Sequence, residues 1–460
     1  MRIHFIAIGG AVMHNMAIAL KLKGYEVSGS DDEIFDPAKT NLAFHGILPV
    51  EYGWHPEKIT PDLDAVILGM HAKKGNPELD RALELGLKIY SFPEYLYEQS
   101  KGKIRVVIAG SHGKTTITSM VMHVLRYFEK DFDYLVGAKI DGFDVMVKLT
   151  DAPIIVIEGD EYLTSALDPR PKFLHYKPTI ALISGISWDH INVFPTWEGY
   201  KNQFELLIRD IDKKGALVYC IDDAELPQIV KNCINSGAIP EIIMSYSTPD
   251  FSIKDGVTCL KAEDKSDIPL HIFGKHNLMN LEGARMVCEQ LGISHQQFLD
   301  AIKSFKGAAR RLEKIAETEN TIIYKDFAHA PSKLKATVEA VKSQYPGRKL
   351  VALMELHTYS SLSKHFLSHY RDSLKPADVP IVFFSKHALE LKKLPPISTE
   401  DVKQGFGQAD LNVFTDAKKL ELFLKNQDYK NANLLLMSSG NFGGINLTGL
   451  TNEILNKDPE

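Results

Sequence analysis

The chain has 460 residues, of which 44% are hydrophobic and 24% charged, and it carries a formal net charge of -6 at pH 7. That length exceeds one hydrophobic core and predicts two or three domains, while the charge excludes a basic field for nucleic acid and a polybasic membrane-binding run. Cys220, Cys233, Cys259 and Cys288 form no C-x-x-C pair, which argues against a zinc knuckle or a disulfide framework and fits a reducing, cytoplasmic compartment.

Residues 3–8 read as a short apolar strand running into Gly9-Gly10, after which Met13, Met16, Ala17 and Leu20 recur at helical spacing. Arg2 and Ala17-Ile18-Ala19 loosely imitate an export signal, but Gly9-Gly10 and His14-Asn15 interrupt it, so strand, turn and helix are expected. No apolar segment reaches membrane-spanning length. A second strand at 26–31 ends in Ser30-Asp31, where Asp31 can bind a ribose or a base or merely cap a turn. A third strand, 65–68, leads to His71 and then Asn76-Pro77-Glu78. Residues 1–102 are therefore expected to form a small Rossmann-like α/β domain, with Lys101-Gly102-Lys103 as a linker.

The run Ile104 to Ala109 ends in Gly110-Ser111-His112-Gly113-Lys114-Thr115-Thr116, followed by helical spacing through Met120, Val121 and Val124. Strand, glycine-bracketed turn and helix make a phosphate loop, although it is shorter than the common P-loop pattern because position 108 is Ile. Gly110 and Gly113 let backbone N–H groups close on phosphate oxygens, Lys114 offers a charge to the β- and γ-phosphates, and the Thr115 hydroxyl can ligate Mg²⁺. Further strands at 153–157, 180–183 and 217–221 end in Glu158-Gly159-Asp160-Glu161, in Ser187-Trp188-Asp189-His190 and in Asp222-Asp223. Open parallel sheets hold ligands at such strand ends, so Glu158 and His190 are candidate metal ligands converging on the loop. Asn277 and Asn280 lie one helical turn apart and can read an adenine edge, with N-capping by Asn277 as the alternative. Strands near 321–324, 350–354, 381–384 and 434–437 alternate with helical segments, and the last runs into a glycine-rich turn at 438–444. The fold class is α/β: a Rossmann-like domain 1–102, a central P-loop ATP-binding domain 103–306 and a Rossmann-like third domain 307–460.

Taken together, Gly110 to Thr116, Glu158 with Asp160-Glu161, Asp189-His190, His276-Asn277 with Asn280, Arg310-Arg311, and Asp326 with His329 resemble the Mur ligase family across essentially the whole chain. The resemblance implies a three-domain architecture and an ATP-dependent, ADP-forming amide ligase with Mg²⁺, working through an acyl phosphate. It implies a UDP-sugar held by Gly9, Gly10, Ser30, Asp31, His71 and Asn76. It implies ATP held by residues 110–116, Asn277, Asn280, Arg311, Asp326 and His329. Lys114, Glu158 and His190 would be catalytic, and Thr115, Glu158 and His190 would hold metal. The first loop, Ser28 to Asp31 and the D-x-x-H-x-P region resemble the branch acting on UDP-N-acetylmuramate, in which one enzyme adds L-alanine and another a recovered murein tripeptide. Residues 158–162, 172–176, 309–313 and 437–445 look more like the tripeptide-adding kind, with His357, Tyr359, Ser360, Lys364 and Asn441 as polar candidates for the acceptor pocket. Ala11 and His14 depart from the glycine-richer first loop of the family, and residues 354–360 match it only loosely. A dehydrogenase would leave the phosphate loop unexplained, and a plain kinase or ATPase would need neither the first nor the third domain.

Overall fold

Aliphatic runs a few residues long, separated by segments of helical period, pair as parallel strands with helices on their faces. The computed structural model describes residues 1–460 apart from 71, 141, 166, 189–192, 263–265, 309–310 and 457–460. The chain divides into two units. The first comprises Met1–Trp188, Val193–Ser247 and Gly283–Phe298, and the second includes Thr248–Glu282 and Leu299–Glu460.

The first unit holds two sheets. The N-terminal one consists of β1 (Arg2–Ile6), β2 (Glu26–Ser30), β3 (Ala65–Leu68) and β4 (Ile89–Ser91), all parallel in the order β2-β1-β3-β4. Its helices are α1 (Ala11–Leu22), α2 (Ala38–Phe44), α3 (Pro77–Glu84) and α4 (Phe92–Ser100). The central sheet contains β5 (Ile104–Ala109), β6 (Phe132–Leu135), β7 (Val147–Lys148), β8 (Ile154–Glu158), β9 (Ile180–Ile183), β10 (Ala216–Cys220) and β11 (Ile242–Tyr246). Its order is β11-β10-β9-β5-β8-β6-β7, parallel except for β7. Helices α5 (Lys114–Tyr127), α6 (Trp197–Arg209) and α7 (Leu226–Asn235) belong to it.

Residues 101–103 do not behave as a loose tether. The Lys103 ammonium donates to Asp133, wholly buried on β6, at 2.6 Å and to the Thr150 and Ala152 carbonyls. Arg105, also buried, donates to the carbonyls of Ser100, Lys101 and Lys103 on one side and of Tyr176 and Lys177 on the other. The guanidinium fork thus bolts the end of α4 to the central sheet.

The second unit contains a small antiparallel sheet of β12 (Phe251–Lys254), β13 (Val257–Lys261) and β14 (Asp267–Pro269). Its six-stranded sheet consists of β15 (Glu313–Glu317), β16 (Thr321–Asp326), β17 (Lys349–Leu356), β18 (Val379–Phe384), β19 (Asn412–Phe414) and β20 (Ala432–Met437). The order is β15-β16-β20-β17-β18-β19, with only β15 antiparallel. Helix α8 (Lys275–Gln290) runs from this unit into the first, and α9 (His295–Ile302) returns. The remaining helices are α10 (Pro331–Gln344), α11 (Lys386–Leu391), α12 (Thr399–Phe406), α13 (Ala417–Lys425) and α14 (Leu447–Asn456). Strand alternation feeds two cores. Tyr324, Ala352, Met354 and Leu435 pack with Leu334, Val338 and Val341 of α10, whereas Ile323, Leu353, Leu434 and Leu436 pack with Leu420, Leu424 and Leu450. All four cysteines are buried free thiols. No helix among the described residues is long and apolar enough to cross a membrane.

Candidate active site

The phosphate loop closes where β5 ends and α5 begins, as the sequence predicts. Gly110 and Gly113 have φ of 120° and 73°, the left-handed region that glycine enters without strain. A Cβ on Gly110 would also lie 2.9 Å from the Ser184 amide nitrogen. The loop is pinned to the end of β9 by Ser111 N donating to Gly185 O at 2.9 Å and by the Ser184 hydroxyl donating to His112 O.

Its functional side chains turn toward the end of β8. Lys114 Nζ donates to Glu161 Oε2 at 2.6 Å and to Gly110 O at 2.7 Å. The Lys114 side chain is 16% exposed and that of Glu161 1%. Burial works to lower the Lys114 pKa, but Glu161, Asp160 and Glu158 outweigh it, so the ammonium is held above its usual range. Thr115 Oγ1 donates to Glu158 Oε1 at 2.8 Å, and Gly137 N donates to Glu158 Oε2 at 3.0 Å. Lys172 pairs with Asp160 at 2.5 Å. Burial alone would raise the Asp160 carboxyl, yet Lys172 and Lys114 hold it below the usual carboxylate range.

A hydrogen-bonded chain joins these groups to the β9 loop. Ser187 N donates to Ser111 Oγ at 2.9 Å, Ser111 Oγ lies 2.7 Å from the Tyr200 hydroxyl, and that hydroxyl is 3.3 Å from Glu161 Oε1. Tyr200 is wholly buried on α6 among Phe194, Trp197 and Phe204. His190 and His71, both predicted as site residues, lie outside the described residues, as does Arg310.

In the N-terminal sheet, Asp31 Oδ2 accepts from Gly9 N at 2.7 Å and so folds the first glycine turn back on β2. Burial pushes the Asp31 carboxyl up to about 6, against the Gly9 hydrogen bond. A cavity of about 840 Å³ opens beside it, lined by Gly9, His14, Asp31 and Lys73 and by Lys139 and Met146 of the central sheet's loops. Ser30 is buried under this turn. Asn76 N-caps α3, its side chain accepting from Glu78 N and Leu79 N, so its carbonyl oxygen serves the helix.

The remaining predicted residues belong to the second unit. Asn277 and Asn280 are buried in the first turns of α8; Asn277 does not cap the helix, and its amide donates to Phe273 O at 2.9 Å. Asp326 ends β16 with both oxygens engaged, Oδ2 by Leu312 N at 2.5 Å and Oδ1 by Ala328 N at 2.6 Å. Burial raises its pKa, opposed by Arg311 and these amides. The Arg311 guanidinium lies 5.0 Å over the Phe327 ring, and His329 Nδ1 is 2.8 Å from Phe327 O. Because β20 inserts between β16 and β17, their C-terminal ends lie side by side, and open parallel sheets hold ligands at such strand ends. Glu355, 2% exposed, binds the Ser438 hydroxyl and Phe442 N there, 3.9 Å from His357 Nδ1. Of the acceptor candidates, Lys364 pairs with Asp401 at 2.7 Å, Tyr359 is exposed beneath Lys392, and Ser360 is at the edge of burial.

Sequence reasoning missed Tyr200 as a polar contact, because its spacing with Phe204 and Leu207 marks only a core face. It missed Glu355 and Arg105 too. Each is a charge inside an otherwise apolar strand, and that anomaly was the available signal.

Comparison with known proteins gives two family matches: "Mur ligase family, catalytic domain" over residues 2–103 and "Mur ligase middle domain" over 108–288. The chain is 29% identical over 452 residues to the UDP-N-acetylmuramate–L-alanyl-γ-D-glutamyl-meso-2,6-diaminoheptandioate ligase of Haemophilus influenzae, covering 96% of this chain and 97% of that protein. It is 32% identical to the UDP-N-acetylmuramate–L-alanine ligase of Clostridium acetobutylicum, covering 82% and 83% respectively. Its fold matches the crystal structure of a murein peptide ligase from Psychrobacter arcticus with a TM-score of 0.64 at 23% identity, over 99% of both chains.

Proposed function

The chain belongs to the Mur ligase family, and on that premise we propose that it joins the carboxylate of UDP-N-acetylmuramate to the amine of the tripeptide L-Ala-γ-D-Glu-meso-diaminopimelate, at the expense of ATP, in peptidoglycan recycling. The reading divides the chain into a UDP-sugar domain 1–102, an ATP domain 103–306 and an acceptor domain 307–460, and it implies a cytoplasmic enzyme. The observation that carries it is the phosphate loop with Lys114 and Thr115 turned to the acids ending β8. The full-length match to the Haemophilus tripeptide ligase favours the tripeptide, and the Clostridium relative favours L-alanine as the alternative acceptor.

The donor set suits Mg²⁺. Glu158, Asp160 and Glu161 gather carboxylate oxygens beside the Thr115 hydroxyl, with Lys114 on Glu161 and Lys172 on Asp160. Oxygen donors of this kind suit a hard divalent cation beside a polyphosphate. Thr115 and Glu158 would hold it, with His190 as a further ligand by family resemblance. Bound there, such an ion would supply neutralising charge to the polyphosphate.

The chain's own groups do the rest. The N–H groups at the start of α5 and Lys114 receive the phosphates. By family resemblance Asn277 and Asn280 would bind adenine, and Asp326, His329 and Arg311 would also contact the nucleotide. By the same resemblance Gly9, Gly10, Ser30, Asp31, His71 and Asn76 would hold the UDP-sugar, whose carboxylate then attacks the γ-phosphoryl group and forms an acyl phosphate with loss of ADP. The acceptor amine then attacks the acyl carbon, releasing phosphate and a proton. Excluding water protects the acyl phosphate from hydrolysis. Phosphate release is the test. It should need ATP, UDP-N-acetylmuramate and an amine together, with kcat/KM higher for the tripeptide than for L-alanine. The reverse ratio would move the chain to the L-alanine reading, and release independent of the nucleotide-sugar would end both.

A further inference from the structure

We propose that Tyr200 is a positioning residue that sets nucleotide affinity by easing Lys114 away from Glu161; the inference rests on the ATP site argued above. The direction of the hydrogen-bonded chain follows from its ends. A backbone N–H can only donate and an ionised carboxylate can only accept. Ser187 N–H therefore donates to Ser111 Oγ, the Ser111 hydroxyl to the Tyr200 oxygen, and the Tyr200 hydroxyl to Glu161 Oε1. The other Glu161 oxygen, Oε2, holds Lys114 at 2.6 Å. Each donor polarises the next, so the Tyr200 O–H bond to the carboxylate is strengthened by the two behind it.

Glu161 thus stands where a phosphate would compete for the same ammonium. A nucleotide that claims Lys114 leaves a buried carboxylate to be stabilised by its remaining donors. Tyr200 supplies one of them, from a wholly buried ring packed against Phe194, Trp197 and Phe204. The bond acts in two ways with one sign. It withdraws charge from Glu161 while Lys114 is bound, and it stabilises Glu161 after Lys114 leaves. Lys172 is paired with Asp160.

The test is the dissociation constant of the full chain for the non-hydrolysable analogue AMP-PNP with Mg²⁺, measured by calorimetry. Tyr200→Phe keeps the ring and should weaken binding about 5-fold, the scale of one ordinary hydrogen bond, as suits the long 3.3 Å contact. Glu161→Gln removes the competitor and should tighten binding by a similar factor. Combining the two should reproduce Glu161→Gln alone, because Tyr200 acts through Glu161. Glu161→Met serves in its place if the amide variant does not fold. A purely structural tyrosine would weaken binding equally in both backgrounds, and that outcome, or a Tyr200→Phe constant within 2-fold of wild type, overturns the proposal. Absence of AMP-PNP binding by the wild-type chain would instead overturn the ATP site itself.

Discussion

Replacing Lys114 with alanine removes an ammonium that is 16% exposed from a carboxylate that is 1% exposed. The obvious consequence is lost catalysis. A phosphate contact of this kind is worth on the order of 10²- to 10³-fold in rate, so kcat/KM for ATP should fall at least about 10²-fold. The structure adds a second consequence. Glu161 would be left buried without its ammonium, and breaking a buried pair from one side costs about 3–5 kcal/mol. Tyr200 still reaches Oε1, and water can enter the space vacated by the lysine, so the expected loss lies near ~3 kcal/mol. The double variant Lys114→Met with Glu161→Gln removes both charges and should recover to within about 1 kcal/mol of wild type while remaining inactive. Urea unfolding followed together with hydrogen exchange at the α5 amides measures the loss, and phosphate release measures the chemistry. A single variant as stable as wild type, or a double variant no more stable than the single, would refute the reasoning about the buried pair.

Three further outcomes are expected. The Asp31 carboxyl has a folded pKa of about 6, raised above its unfolded value, so its contribution to stability is full below pH ~4 and is lost as the pH rises through about 6; melting temperatures at pH 5 and 7.5 should differ in that direction, and Asp31→Asn should flatten the difference. Arg105→Met strips five carbonyls of a shared donor and should open residues 100–104 to limited proteolysis at protease levels that leave wild type intact. A Cβ on Gly440 would lie 2.8 Å from both Glu355 Oε2 and the His357 ring, so Gly440→Ala should raise KM for the acceptor about tenfold or more while KM for ATP stays within twofold.

The parallel strands were legible because apolar runs such as Ile104 to Ala109 and Ala65 to Leu68 are buried on both faces. The phosphate loop was legible because glycine, lysine and threonine in that order have few other uses. The sheet β12–β14 was not. Phe251, Ile253 and Val257 are exposed, its strands are three to five residues long, and such a ribbon leaves no strong period in sequence. Lys101-Gly102-Lys103 looked like a linker because charge and glycine mark surface chain. The acceptors that bury Lys103 come from residues 133, 150 and 152 and are invisible locally. Asn76 was singled out for a ligand role, and the geometry that makes it a helix cap lies in the Asn-Pro-Glu that follows strand and turn. Asn277 was read from its helical spacing to Asn280 and Asp326 from the family resemblance, and hydrogen bonds to nearby backbone engage both.

The position of β20 bears on how the chain is made. Ribosomes deliver residues 432–437 after β16, β17, β18 and β19, yet β20 pairs with β16 on one side and β17 on the other. Until it emerges, those two strands have no partner on their facing edges, and the nascent sheet presents two apolar, unpaired borders of the kind that recruit other chains. Completion then demands insertion between strands rather than addition at an end, which closes contacts separated by about a hundred residues and is slow on topological grounds. Chaperone dependence during synthesis should therefore concentrate in the interval between emergence of residue 356 and of residue 437 from the ribosome. A stall within that interval should send the product to aggregates or proteases, whereas a stall after α14 should release a folded domain.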